Sequence, residues 1–281
     1  MARHMVPLAF LGVVLLAGCE TLGLSGGEDE VVVEERSAQQ IFRAAEAELQ
    51  DGNGVVAAET FNEVERLYPF SQLAKRAVIM SAFASYEAGD YPNARISANR
   101  YLDLYPSDAD AAYAQYLIGL TYYDNIVDVG RDQAVTRNAL RELTEVTRRY
   151  PGSDFARDAQ LKIDLTNDHL AAKEMEVGRY YLKRGHYAAA INRFRVVIQD
   201  YQTTNQTPEA LHRLVEANLA LGLEQEAVEA ASVLGHNFRG TDWYANSYEL
   251  LTGRDLLPDD EQEADGFFSR VYRRVIQGKW L

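Results

Sequence analysis

The sequence predicts an all-α protein, a solenoid of about five helical hairpins, and four sets of aligned residues predict it. Ala57, Ala94, Ala139, Ala190 and Ala227 fall in one column, and Phe61, Ala98, Leu143, Phe194 and Ala231 follow them by four residues. A glycine precedes the alanine at Gly52, Gly89, Gly185 and Gly222, and an aromatic closes each phrase at Tyr68, Tyr105, Tyr150, Tyr201 and Phe238. Each column has a physical reason. Glycine adopts the left-handed conformation that ends a first helix. Small residues let the two helices of a hairpin approach closely. Proline follows the aromatic in Tyr68-Pro69, Tyr105-Pro106 and Tyr150-Pro151, where it disfavours helical geometry in the residue before it and so stops the second helix.

From the N-terminus, residues 1–18 read as a secretory leader: Arg3, an apolar run over 6–16, then Leu16-Ala17-Gly18-Cys19. The run is too short for a hydrocarbon core of roughly 30 Å, which needs about 20 residues, but it has the length of a signal-peptide core. The ending has the form of a lipobox, so Cys19, the only cysteine, is expected to carry lipid as the first residue of the mature chain. The other possibility is an uncleaved anchor beside a buried thiol. Glu20 stands where an aspartate would resemble an inner-membrane retention signal, which makes the outer membrane the expected destination. Residues 19–36 are glycine-rich and then acidic, the composition of a flexible tether. Gly23-Leu24-Ser25-Gly26-Gly27 within it matches a hydrolase pattern, but a nucleophile elbow needs a strand before it and a helix after it.

Residues 37–152 then hold repeats 1 to 3, residues 153–253 a long helix with repeats 4 and 5, and residues 254–281 an acidic loop and an amphipathic helix. Ser37-x-x-Gln40 is a capping box, Ser71, Ser107 and Ser153 can cap the helices after the aromatic turns, and Thr207-Pro208 places a cap before a proline. The alanines are spaced 37, 45, 51 and 37 residues apart, so two periods are long. Residues 124–133 look like an inserted loop. Residues 154–183 contain no breaker beyond Gly178, which predicts one helix of some 30 residues, about 45 Å, joining the two groups of repeats. The phrase resembles the tetratricopeptide repeat, whose period is about 34 residues, most closely at Gly89-Asp90-Tyr91 with Ala94 and Gly185-His186-Tyr187 with Ala190.

Composition narrows the function. A net charge of −14 is a poor match for phosphates, so no nucleic-acid partner is expected. One cysteine allows no internal disulfide, and the fold must rest on apolar burial, for which 47% hydrophobic residues suffice. The histidines, His4, His169, His186, His212 and His236, show no zinc spacing, and Glu209-x-x-His212 is half of a di-iron motif without its second half. No metal, cofactor or catalytic residue is expected, and the chain does not read as an enzyme. Tyrosine is abundant, with seventeen copies, many in first helices: Tyr86, Tyr113, Tyr116, Tyr122, Tyr123, Tyr180 and Tyr181. They suit either an aromatic groove that grips an extended peptide or packing between helices.

The lipobox, the acidic tether and the hairpins together resemble the BamD family, lipoprotein subunits of the β-barrel assembly machinery of Gram-negative outer membranes. Leu67-Tyr68-Pro69-Phe70, Arg149-Tyr150-Pro151-Gly152-Ser153 and Gly178-Arg179-Tyr180-Tyr181-Leu182-Lys183-Arg184-Gly185 followed by Ala190-Ile191-Asn192-Arg193 carry the resemblance. It implies a scaffold anchored by its N-terminal lipid at the periplasmic face of the outer membrane, with BamA and other machinery subunits as partners and unfolded barrel proteins as clients. Arg193 matches a family arginine that faces a POTRA domain of BamA, where a guanidinium suits a carboxylate; the alternative is a solvated surface residue. For the clients' targeting strands the resemblance points to Tyr68 and Phe70, with Tyr86 nearby in the next helix. Residues 266–281 depart from the family pattern: Phe267, Val271, Val275, Phe268, Tyr272 and Ile276 form an apolar face bordered by Arg270, Arg273, Arg274 and Lys279, suited to capping the solenoid, lying on a membrane or binding a partner. Two other functions stay open, a periplasmic adaptor coordinating cell division or peptidoglycan synthesis and a lipoprotein enzyme without a recognisable motif.

Overall fold

The computed structural model describes residues 36–257 and 261–277, so Cys19 and the tether before residue 36 lie outside the described residues. Among the described residues there are twelve helices and no strand. The hairpins are α1 (Ala38–Gln50) with α2 (Gly54–Leu67), α3 (Gln72–Glu87) with α4 (Tyr91–Leu104), α5 (Ala111–Tyr123) with α6 (Ala134–Arg149), α7 (Asp154–Lys183) with α8 (Tyr187–Asp200), and α9 (Thr207–Leu221) with α10 (Glu224–Asn237). Two further helices, α11 (Asp242–Thr252) and α12 (Glu261–Gln277), follow. Each helix from α1 to α10 packs on the next, and first helices also touch across repeats, α1 with α3, α3 with α5, α5 with α7 and α9 with α11.

The aligned columns are the core of this arrangement. All five alanines are fully buried, and so are Phe61, Ala98, Leu143 and Phe194 behind them. Gly52, Gly89, Gly185 and Gly222 all take positive φ, between 72° and 82°, a region costly for a residue with a Cβ. The third hairpin has residues 124–133 in place of the glycine turn, and Lys173 Nζ ties this loop to α7 by donating to the Gly130 carbonyl at 3.0 Å. The closing aromatics are the C-cap residues of α2, α4, α6, α8 and α10, each with φ near −130°.

Ser37 forms its capping box with Gln40, and Ser71 and Ser153 accept from the backbone N–H groups of Ala74 and Ala156. Two expected caps are not made. The turn before α5 is longer than those before α3 and α7, so Asp110 is the N-cap residue, Ser107 lies outside the helix, and the Asp108 carboxylate organises the turn by accepting from the Asp110 N–H at 3.1 Å. Thr207 is the first helical residue of α9 after an N-cap at Gln206, and its hydroxyl instead donates to the Tyr201 carbonyl at 3.2 Å.

The long helix spans the expected residues and serves two cores. Its first half packs Ala156, Ala159 and Ile163 with Tyr116, Leu143 and Val146, and its second half packs Ala171 and Met175 with the core of α8 to α12. Gly178 breaks nothing here: a Cβ on it would lie 2.4 Å from the Phe194 ring, so the glycine is where α8 seats against α7. The α8–α9 turn docks halfway along α7, where the Asn205 N–H donates to Asp168 Oδ1 at 3.0 Å. That docking point lies about 21 Å along α7 from its N-terminal end.

The C-terminal helix begins at Glu261, five residues before the expected start, and Ala264, buried one turn ahead of Phe268, extends its apolar face. It packs on α10 and does not pair with α11 as a sixth hairpin. Phe268 is buried beside Gly235 and the Tyr244 ring, Tyr272 stacks on His236 at 3.9 Å, and Arg239 pairs with Asp265 at 2.5 Å. Of the expected apolar face, Phe268 is the buried element; the side chains of Val275 and Ile276, and Lys279, lie outside the described residues.

Candidate docking surfaces

The α2–α3 turn is fixed by its backbone. Tyr68 N–H donates to Val64 O, Ser71 N–H donates to Tyr68 O at 3.0 Å, and Ser71 caps α3, with Pro69 between them. Tyr68 is half-buried against the first-repeat core and its hydroxyl donates to the Arg36 carbonyl at 2.7 Å. Phe70 has nowhere to go: it stands on the tip of this rigid turn and is 101% exposed. Burying such a ring would be worth about 1.5–3 kcal/mol, so its exposure leaves a strong apolar contact unmade. Leu67 beside it is 45% exposed, and Leu104, which occupies the same place one repeat later, is 52% exposed. The repeat columns point to Leu104 as soon as Leu67 is chosen.

Tyr86 does not belong with this group. It lies in the last turn of α3, sixteen residues after Phe70 and so about 24 Å along the helix. Its ring packs with Tyr91 and the second-repeat core, and its hydroxyl donates to Asp124 Oδ2 at 2.5 Å, a contact between repeats. Burial and the hydrogen bond to Asp124 push its pKa up, which keeps it a donor. Tyr116 similarly donates to Asp158 on α7, and Tyr101 to Asp108. Tyr122 lies under Arg95 and Tyr123 under Lys162. Of the first-helix tyrosines, then, several are spent on joining repeats, whereas Tyr180 is 51% exposed beneath the Arg184 guanidinium.

Asp108 is a node that sequence reading missed. Its carboxylate accepts from Lys75 Nζ at 2.5 Å, Tyr101 OH at 2.6 Å and the Asp110 N–H, joining α3, α4 and the start of α5. These hydrogen bonds, the one from Lys75 first, hold its pKa down at about 2.

Arg193 projects from α8 next to Asn192, and with Tyr181, Ala189 and Val196 they line a shallow hollow of about 250 Å³. Arg193 is half-exposed and donates through one Nη to Glu174 Oε2 of α7 at 3.0 Å. A partly exposed pair of this kind is worth about 0–1 kcal/mol, so an incoming carboxylate can share or replace Glu174. Glu174 was not singled out by the sequence; it becomes visible only when α7 and α8 are paired.

A stack of helical hairpins with an exposed apolar turn at one place and an arginine-lined hollow at another is a solenoid of the tetratricopeptide class. Residues 34–234 match the YfiO family, described as outer membrane lipoprotein. The chain is 42% identical over 272 residues to the outer membrane protein assembly factor BamD of Caulobacter vibrioides, covering 96% of this chain and 89% of that one. It is 43% identical over 195 residues to BamD of Rickettsia prowazekii, covering 69% and 78%, and 30% identical over 244 residues to BamD of Neisseria meningitidis serogroup A, covering 83% and 91%. The chain belongs to the BamD family of outer membrane lipoproteins.

Proposed function

We propose that this protein is a non-catalytic scaffold of outer-membrane β-barrel assembly, held at the periplasmic face of the outer membrane by a lipid on Cys19. It binds BamA, other subunits of the machinery and unfolded barrel proteins. The observation that supports this most is the correspondence, along 96% of the chain, to a relative named as an outer membrane protein assembly factor. Repeat 4 takes a POTRA domain of BamA, with Arg193 donating to a carboxylate of the partner from the hollow it shares with Tyr181 and Asn192. The turn carrying Tyr68 and Phe70 takes the clients' targeting strands, whose apolar side chains match an exposed ring better than they match charge.

Affinity purification of the tagged lipoprotein from detergent-solubilised outer membranes is expected to recover BamA. Arg193→Glu is expected to lower that recovery at unchanged melting temperature. Purification without BamA would remove the protein from the machinery, and full recovery with Arg193→Glu would remove Arg193 from the contact. Cys19→Ser is expected to move the protein from the membrane to the soluble fraction, and unchanged fractionation would contradict the lipid anchor.

A further inference from the structure

The way α12 packs leaves a second groove, away from repeat 4 and from the Phe70 turn. Glu224, Gln225, Val228 and Glu229 of α10 form one wall, and Phe267, Arg270, Val271 and Arg274 of α12 form the other, with Leu256 at one end and about 350 Å³ of open space between. The α12 residues fall at i, i+3, i+4 and i+7, and the α10 residues at i, i+1, i+4 and i+5, so each set is one face of its helix. Val228, Leu256, Phe267 and Val271 make the floor apolar. The two rims carry opposite charge: Arg270 and Arg274, one turn apart and exposed, on α12, and Glu224 with Glu229 on α10.

We infer that this groove is a docking site for an amphipathic helix of a partner protein, with an apolar stripe, an acidic flank and a basic flank. Two helical ridges side by side with an apolar floor are the shape into which a third helix packs. The charge pattern fixes how it lies: its acidic flank faces Arg270 and Arg274, and its basic flank faces Glu224. A helix of uniform charge would meet a like-charged rim on one side. An anionic bilayer is a poorer occupant. A helix lying on a membrane needs its apolar face free, and α12 spends its Phe268 face on Gly235 and Tyr244 of the solenoid.

The test uses the whole folded chain and two fluorescein-labelled synthetic 18-residue helices with the same leucine stripe. One has glutamates on one flank and lysines on the other; its counterpart has lysines on both flanks. Fluorescence anisotropy is expected to show the first binding at least about tenfold tighter than the second. The Arg270→Glu/Arg274→Glu protein, with surface changes only and a melting temperature like that of the parent, is expected to lose that preference. No binding of either peptide, equal binding of both, or a preference that survives the double substitution would overturn the proposal. So would arginine-dependent binding to phosphatidylglycerol vesicles without binding of the peptides, which would assign the rim to lipid.

Discussion

The two ends of the solenoid are stabilised differently. From the second half of α7 to α12 the buried side chains form one continuous core, running through Met175, Phe194, Leu211, Leu214 and Leu234 to Phe268. From α1 to the first half of α7 they divide into four smaller clusters, one around Phe61, two around α3, α4 and α5, and one around Leu143. Those clusters are joined by partly buried side chains, Tyr113 against three of them and Leu102 and Leu120 against two each, and by polar contacts near the surface: Tyr86 to Asp124, Tyr101 and Lys75 to Asp108, Tyr116 to Asp158. A repeat that touches only its neighbours can shift relative to them at small cost, whereas a shared core moves as one body. The difference teaches that the arginine hollow of repeat 4 is built on a rigid block and the Phe70 turn on a more adaptable one.

The largest effect that would break this contrast concerns Phe194. Phe194→Ala removes a fully buried ring from the continuous core and is expected to cost about 3–5 kcal/mol. Amide hydrogen exchange should then speed up together in α7 to α12. Phe61→Ala, of similar local cost, should speed exchange in α1, α2 and α3 and leave α8 to α10 protected; exchange that rises everywhere would erase the distinction. Next in size is the cap on the C-terminal end. Deleting residues 261–281 uncovers the apolar surface around Tyr244 and Gly235 and is expected to cost about 2 kcal/mol, lowering the melting temperature by several degrees. An unshifted melt would show that α12 covers nothing the core needs.

Smaller effects sharpen the polar side of the comparison. The Asp108 carboxylate has its pKa lowered by folding, so its contribution is fully present above the unfolded value near 3.9 and is lost as pH falls through about 2. Melting temperature should therefore fall more steeply between pH 4 and pH 2 in the parent than in Asp108→Asn; parallel curves would contradict the node. At neutral pH that substitution is expected to cost about 1 kcal/mol, since Asp108 is partly exposed. Tyr86→Phe keeps the ring and deletes only the bond to Asp124, for an expected loss of about 0.5–1 kcal/mol by denaturant titration. A loss of binding to client strands without that loss of stability would return Tyr86 to the docking surface.

Much of this was legible in the sequence because repetition multiplies weak signals. A single alanine or glycine says little, but five alanines in register forecast the buried seam, and the φ values of Gly52, Gly89, Gly185 and Gly222 follow from their place in it. The limits of α7 were readable since Ser153 caps it and no strong breaker interrupts it. What escaped were contacts between segments far apart in the chain. Asp108 organises the turn where Ser107 was expected to cap, and its partners Lys75 and Tyr101 come from other helices. Phe70 stands in the turn before α3 and Tyr86 in the last turn of that helix, yet nothing in the Tyr-Pro-Phe motif states that the whole helix separates them. The ion pair of Arg193 with Glu174 and the groove beside α12 likewise exist only once helices are paired.

The measurement that bears most directly on the proposal of two separate docking regions is a pair of titrations, one with the isolated POTRA domain of BamA proposed as partner and one with a peptide of a barrel protein's terminal strand. Arg193→Glu should weaken the first by at least about tenfold and leave the second unchanged, and Phe70→Ala should do the reverse. Loss of both ligands in either variant, or of neither in both, would contradict a scaffold that holds its machinery partner and its clients at different places.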